Sequence, residues 1–328
     1  MLSYSLVIET ENLSVADNER LWCTLHSLEK AIARIWQPDE VLLYNSGDVS
    51  PEMIAELGRK YEWVSPLSLP PGETYYEAKM RGAREVPSEI VVFVDSDCSY
   101  NEDWLSGLLE PFENPDINVV AGETGFSEPG PYSLALSIVH AFDGFSGRQE
   151  LYPVNYYYAN NVAFRRSFLM DSPIPTDLPL YRSGCYRHSV EMRSRGETIW
   201  TQPRSRAVHA APEGLSHFFW RFLLFGRDRT VRRQLALGDD APRVISEKRG
   251  ARHFISRRLT RALKHQPEQW KWLPIAMLVV MFAELLIWIG KIMAIYRPQQ
   301  FIGHFSKIEG VHYPTVQEFQ SKQKTMSS

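Results

Sequence analysis

Two carboxylates, Asp95 and Asp97, stand one residue apart where the apolar run Val91-Val92-Phe93-Val94 ends. If that run is a buried parallel strand, ligands gather beyond its carboxyl end. Paired carboxylates there can hold a hard divalent cation, which in turn neutralises a diphosphate. The plainer alternative is a helix cap, since Asp97 and Ser99 precede a helix expected to begin near Asp103. Other phosphate chemistries lack their motifs: no GxGxxG follows the first apolar run, and no GxxxxGK[ST] occurs. A nucleotidyltransferase would also want a Gly- and Lys-rich loop there, but Thr10 to Asp17 contains neither residue. Three well-separated cysteines, Cys23, Cys98 and Cys185, form neither a disulfide framework nor a CxxC site and suit a reducing compartment.

The elements that would position the carboxylates alternate. Ser5–Glu9 reads as a short apolar strand. Leu21, Leu25, Leu28, Ile32 and Ile35 recur at helical steps, and Pro38 stops that helix. Val41–Tyr44 is the second strand, Met53–Lys60 a helix, Trp63–Val64 a weak third strand, Tyr75–Val86 a helix and Ile90–Val94 the fourth strand. This order predicts an α/β fold with a mostly parallel sheet and helices on both faces. The 328 residues, 44% hydrophobic and 23% charged, exclude a disordered chain and leave room for a sizeable core.

Charge is unevenly spread. Between Arg221 and Lys264 there are 13 basic and 4 acidic residues, a net of +9 in a chain of net −3. Leu273–Tyr296 is almost wholly apolar apart from Glu284 and Lys291. As a helix it would be about 36 Å long, enough for a hydrocarbon core of about 30 Å. Trp270, Trp272 and Tyr296 sit at its ends, where amphipathic rings favour the interface. Residues 248–264 read as a basic amphipathic helix for an anionic surface, and Phe218–Phe225 with its arginine fringe as an interface helix. The expected organisation is a catalytic domain over 1–235, a basic juxtamembrane segment over 236–271, a transmembrane helix over 272–297 and a polar tail over 298–328.

The order of these motifs resembles family 2 glycosyltransferases, which have a GT-A (Rossmann-like) fold, invert at the anomeric carbon and use nucleotide-sugar donors. Ser5-Leu6-Val7-Ile8-Glu9-Thr10-Glu11-Asn12 resembles the family's first strand and nucleotide turn, with Glu9 and Glu11 replacing the usual proline and aromatic. Asn45-Ser46-Gly47 resembles the uracil-contacting turn without its aspartates. Ala78-Lys79-Met80-Arg81-Gly82 resembles the segment that brings a basic residue to the diphosphate, and Asp95-Ser96-Asp97 matches the metal-binding DxD. Asn160–Arg166 resembles the acceptor-side strand, and Val208-His209 the strand end where a histidine completes the metal shell. Gly184 and Cys185 occupy the positions where the family places the acidic base. Glu191 is the nearest carboxylate that the resemblance offers instead.

The resemblance thus implies Asp95, Asp97 and His209 around Mg²⁺ or Mn²⁺. It implies Thr10, Glu11, Asn45, Lys79, Arg81 and Asp95 around a UDP- or GDP-linked sugar, and Glu191 as candidate base. The QxxRW signature of processive synthases is absent, so transfer of a single sugar is expected. The acceptor would be membrane-proximal, a lipid-linked saccharide or glycan, with the catalytic domain at the cytoplasmic side of the cell membrane. No nucleic-acid partner is expected, and the oligomeric state is left open. The competing expectation is a catalytically impaired, transferase-like scaffold.

Overall fold

The computed structural model describes residues 2–11, 13, 19–126, 130–139, 142, 144–211, 214–235, 258–260, 262–263, 267–309 and 313–326. The first third alternates as the sequence predicts: β1 (Tyr4–Glu9), α1 (Glu19–Ile32), β2 (Glu40–Asn45), α2 (Pro51–Lys60), β3 (Ser65–Ser68), α3 (Tyr75–Glu85) and β4 (Ile90–Asp95). Then come β5 (Cys98–Tyr100), α4 (Trp104–Leu109), β6 (Val119–Phe126), α5 (Pro131–Val139), β7 (Tyr152–Val154) and β8 (Asn161–Arg165). They are followed by α6 (Arg166–Asp171), α7 (Gly184–Ser194), β9 (Ile199–His209) and α8 (Leu215–Gln234). The chain closes with α9 (Leu273–Tyr296), α10 (Pro298–Glu309) and α11 (Val316–Met326).

One sheet carries the order β3-β2-β1-β4-β8-β6-β9-β5, with β7 also on β9. The first four strands are parallel, as the alternation requires; beyond β4 the sheet is mixed, because β8 runs antiparallel to both β4 and β6. Every residue of β1 and β4 is buried. Alternate side chains leave the sheet on opposite faces. Leu6, Ile8, Val92 and Val94 pack with Leu21, Leu25, Leu28 and Ile32 of α1, while Val7, Val91 and Phe93 pack with Met80 and Ala83 of α3. The third strand lies two residues later than expected: β3 is a polar, solvent-facing edge that shows no alternation to read. Cys98–Tyr100 forms strand β5, and the helix after it is capped at Asp103, so Asp97 is not a helix cap.

The C-terminal third departs further from expectation. One face of α9 (Ala276, Val280, Ala283, Leu286, Ile287) is buried on α5 and α8, while Ile275, Leu278, Met281, Leu285 and Trp288 are exposed. α8 and α9 meet at paired glycines. A Cβ on Gly226 would lie 2.0 Å from the Ile287 carbonyl oxygen, and one on Gly290 would lie 2.0 Å from that of Leu223. Residues 298–328 are more than a polar tail, since Phe301, Ile302 and Phe305 of α10 pack with Leu224 of α8 and with Tyr313. Most of the expected basic amphipathic helix lies outside the described residues; 258–260 and 262–263 are helical, with Arg258 and Leu263 buried.

Candidate active site

The parallel register brings the ends of β1 and β4 together, so Glu9 lies beside Asp95. Asp95 Oδ1 is 2.8 Å from Lys79 Nζ and accepts a hydrogen bond of 2.8 Å from the Tyr75 hydroxyl. Burial works against charge on Asp95, yet the Lys79 ammonium prevails and holds the carboxyl below its usual range. Among the described residues no cation is in contact with Glu9. Burial, with Asp95 alongside, pushes its carboxyl well above the ordinary value.

Two residues on, the chain turns into β5 and pairs antiparallel with the end of β9, Cys98 opposite His209. His209 Nε2 comes to 3.4 Å from Asp97 Oδ2. The other ring nitrogen, Nδ1, is 2.6 Å from the Ala210 carbonyl oxygen, which can only accept, so Nδ1 carries a proton. In the neutral ring Nε2 then presents its lone pair towards a carboxylate. That arrangement repels unless a proton or a cation stands between them. A carboxylate and a backbone-oriented imidazole are a donor set that suits Mn²⁺ better than Mg²⁺, which prefers oxygen ligands, so the residues fit Mn²⁺ of the two implied ions. Cys98 completes a buried group whose ligand atoms lie within 4.8 Å of one another. Burial keeps its thiol protonated, which leaves a weak donor for a hard cation.

The other expected residues divide. Thr10 and Asn45 meet at the ends of β1 and β2. The Thr10 hydroxyl donates to Asn45 Oδ1 at 3.3 Å and accepts from the Ser46 amide at 3.0 Å. Asn45 also closes its own turn, accepting from the Gly47 amide and donating to the Val49 carbonyl. Asp48, which the sequence reading passed over, is the carboxylate of this turn; it accepts from the Ser46 hydroxyl, and burial raises it. Glu11 binds Arg182 at 3.2 Å. Lys79 is fully buried beneath Asp95, so it orders that carboxylate rather than reaching into the cleft. Arg81 is not brought to the site. It forks onto Glu73 at 2.8 Å through two nitrogens and lies beside Glu85, because its position on α3 points away from the strand ends.

Glu191 is not brought to the site either. It accepts from Arg187, one turn earlier on α7, at 2.6 Å. At the family's usual acidic positions, Gly184 packs against the Tyr76 ring so tightly that a Cβ would sit 2.8 Å from it. Cys185 accepts a hydrogen bond from the Tyr76 hydroxyl at 3.3 Å.

Beside the strand ends lies a cleft of about 330 Å³, a usual size for a small-ligand site. The strand ends and the loops beside them contribute Tyr75, Tyr76, Asp95, Tyr156, Tyr158, Asn160, Arg182 and His209 to its lining; α8 contributes Arg221, Asp228, Arg229 and Arg232, and Arg258 joins them. The sequence reading gave the arginine fringe of α8 to lipid headgroups. Arg221, Phe225, Asp228, Arg229 and Arg232 instead share the helical face turned to the cleft, at steps of 4, 3, 1 and 3. That spacing was the available signal. The bulky residues between them turn mostly inward, with Phe218, Phe222 and Leu224 buried.

Residues 16–172 match the family model for glycosyl transferase family 2. N-acetylgalactosaminyltransferase 6 of Drosophila melanogaster is 27% identical over 113 residues, 34% of this chain and 16% of that protein, so the chain matches about a sixth of this relative's length. Among solved structures, GalNAc-T7 with UDP, GalNAc and Mn²⁺ is similar at a TM-score of 0.53 and 14% identity, covering 81% of this chain and 58% of that one. The mannosyltransferase PcManGT of Pyrobaculum calidifontis, in complex with GDP-Man and Mn²⁺, is similar at 0.52 and 13% identity, covering 94% and 84%. The matched stretch, just under half of the chain, contains β2, β3, β4 and the Asp95-Ser96-Asp97 turn, and over it the chain is similar to glycosyl transferase family 2, on a GT-A-like fold.

Proposed function

We propose that this chain transfers a single sugar from a nucleoside-diphosphate sugar to an acceptor at the membrane surface, with Asp95, Asp97 and His209 as its metal-side residues. The observation that carries the reading is the facing pair of Asp97 and the His209 Nε2 lone pair at the end of β4. A bound Mn²⁺ supplies positive charge against the leaving diphosphate. Asp97 and His209 would hold it, while Lys79 and Tyr75 fix the Asp95 carboxylate in one orientation and keep it ionised. The turn of Thr10, Asn45 and Asp48 is the proposed seat of the donor base, UDP- or GDP-linked. Arg182, between Glu11 and the Tyr75 ring, closes it from the acceptor side. Inversion follows from the family resemblance.

The membrane setting rests on α9. Pro267–Tyr296 is long and apolar enough to cross a bilayer, and its outward face is apolar. We place the cleft on the cytoplasmic side, because the sequence just before α9, residues 243–264, is rich in Lys and Arg.

A second reading, donor binding without turnover, is favoured by one observation. Gly184 and Cys185 replace the usual acids, and the two carboxylates lining the cleft among the described residues, Asp95 and Asp228, are already engaged. Purified chain with Mn²⁺ and a panel of UDP- and GDP-sugars, assayed against membrane lipid extract, separates the readings. Transfer that disappears in Asp97→Ala supports the enzyme. Donor binding with no product on any extract supports the second reading, and an Asp97→Ala variant of undiminished turnover removes the metal assignment. The anomeric coupling constant of the product checks inversion.

A further inference from the structure

The cleft holds more positive charge than a nucleotide-sugar site uses, and that charge is spread along its length. On α8, Arg221 and Arg232 are eleven residues apart, about 16 Å, and Arg229 is about 12 Å from Arg221. A single diphosphate, only a few ångströms long, does not reach both ends. Arg221 and Arg182 belong to the near end: Arg221 is close enough to Asp97 for the two to attract, and Arg182 binds Glu11. Arg229, Arg232 and Arg258 belong to the far end, towards α9. There like charges crowd. Burial and the neighbouring Arg232, Arg233 and Arg258 all disfavour the charged form of Arg229, with Glu284 of α9 as the opposing acid. The other acid on this wall, Asp228, is committed to Arg227 and to the amides of Tyr181 and Arg182. The same cleft is lined by aromatic rings: Tyr156 and Tyr158 are in edge contact, Phe142 joins Tyr158 to His209 at the near end, and Arg232 lies 4.9 Å over the Tyr186 ring at the far end.

From this arrangement we infer that Arg229, Arg232 and Arg258 form a second anion site, which holds the phosphate or diphosphate ester of the acceptor. Guanidinium groups match phosphate oxygens in bidentate pairs, and a dianion there relieves the crowding around Arg229. The inference rests on the transferase reading for its role but not for its existence. The spacing sets the class of acceptor. If the phosphate sits some 12 Å from the near end, the attacking hydroxyl belongs to a sugar carried by that phosphate, not to the phosphate itself. The sugar then lies against the tyrosines, and whatever is esterified beyond the phosphate leaves alongside α9, whose outer face is apolar.

The test uses full-length chain in lipid nanodiscs and calorimetric titration with geranyl phosphate, geraniol and inorganic phosphate, each with and without saturating UDP and Mn²⁺. Geranyl phosphate is expected to bind at least tenfold tighter than geraniol and to remain bound with UDP present. The double variant Arg229→Gln, Arg232→Gln is expected to lose at least tenfold affinity, and Arg229→Lys, Arg232→Lys to keep most of it, at unchanged melting temperature. A geranyl phosphate affinity above that of inorganic phosphate assigns the site to a lipid ester. Equal affinity assigns it to a soluble phosphate ester, and both support the site. Displacement by UDP and Mn²⁺ would mean that the arginines serve the donor, and equal binding of geraniol or an unaffected Gln variant would mean no phosphate site; each overturns the inference. Phosphate binding in a chain that fails to bind any nucleotide would refute the transferase reading alone.

Discussion

The two walls of the cleft are built on opposite principles. On the strand-end wall most side chains are tied to a neighbour, Thr10 to Asn45 and Ser46 and Asp95 to Lys79 and Tyr75, while Asp97 and His209 face each other across the place for a cation. The helical wall presents arginines that outnumber the acids lining the cleft among the described residues. A wall tied together in this way holds its shape in the empty protein and suits a ligand that arrives as a metal complex. A wall of surplus charge is completed by the ligand itself. The strand-end wall is also assembled largely from parallel strands that pair side by side, whereas the helical wall needs α8 to be held by α5, α9 and α10, segments distant from it in sequence.

Breaking the strand-end wall should have the largest effect. Asp97→Asn keeps the shape but removes the charge. Turnover is expected to fall roughly 10³-fold, as for loss of a main electrostatic group at a transferring centre, while geranyl phosphate still binds; loss of both would merge the two walls into one site.

Tyr157, which lines the cleft, is backed by a neutral imidazole on α7, which sharpens the contrast under acid. His188 Nε2 is 2.7 Å from the Ser172 carbonyl oxygen, and Nδ1 faces the Tyr157 hydroxyl at 2.7 Å; burial lowers its pKa to about 4. The unfolded chain takes up this proton near pH 6.5 and the folded chain only near pH 4. Stability from this group is therefore full at neutral pH and lost as pH falls through that window. The loss is about 3 kcal/mol. Urea titrations from pH 7 to pH 3.5 should show the slope, and His188→Gln should flatten it.

Gly290→Ala tests whether the helical wall depends on the α8–α9 contact. The added methyl meets the Leu223 carbonyl, and overpacking of this kind costs about 2 kcal/mol. The melting temperature should drop with nucleotide affinity preserved. An unchanged melting temperature would mean that the helices separate freely. The smallest effect is expected at Glu191→Gln. With its carboxylate on Arg187 and away from the cleft, turnover should stay within about twofold; a loss beyond about tenfold would return Glu191 to the chemistry.

What the sequence disclosed follows the same division. The strand-end wall was legible because its signals are local: an apolar run ending in Asp95-Ser96-Asp97, and Leu21, Leu25, Leu28 and Ile32 on one stripe of α1. His209 was reachable through its place at the end of a strand. Arg81 and Glu191 were misplaced because the direction of a helical side chain depends on how the helix is docked, which one-dimensional spacing does not contain. α8 was hardest to read. Covered by α9, by α10 and by the cleft, it has bulky residues on every side, so no stripe separates lipid-facing from cleft-facing positions.

The paired glycines also bear on how the chain is made. Backbone meets backbone at Gly226 and Gly290, so α8 cannot settle against its neighbour until residue 290 has left the ribosome. A nascent chain stopped at residue 235 would have its strand ends and lack the helix that seats Arg229 and Arg232. The order of synthesis thereby withholds the arginine wall of the cleft until the apolar helix has found its place.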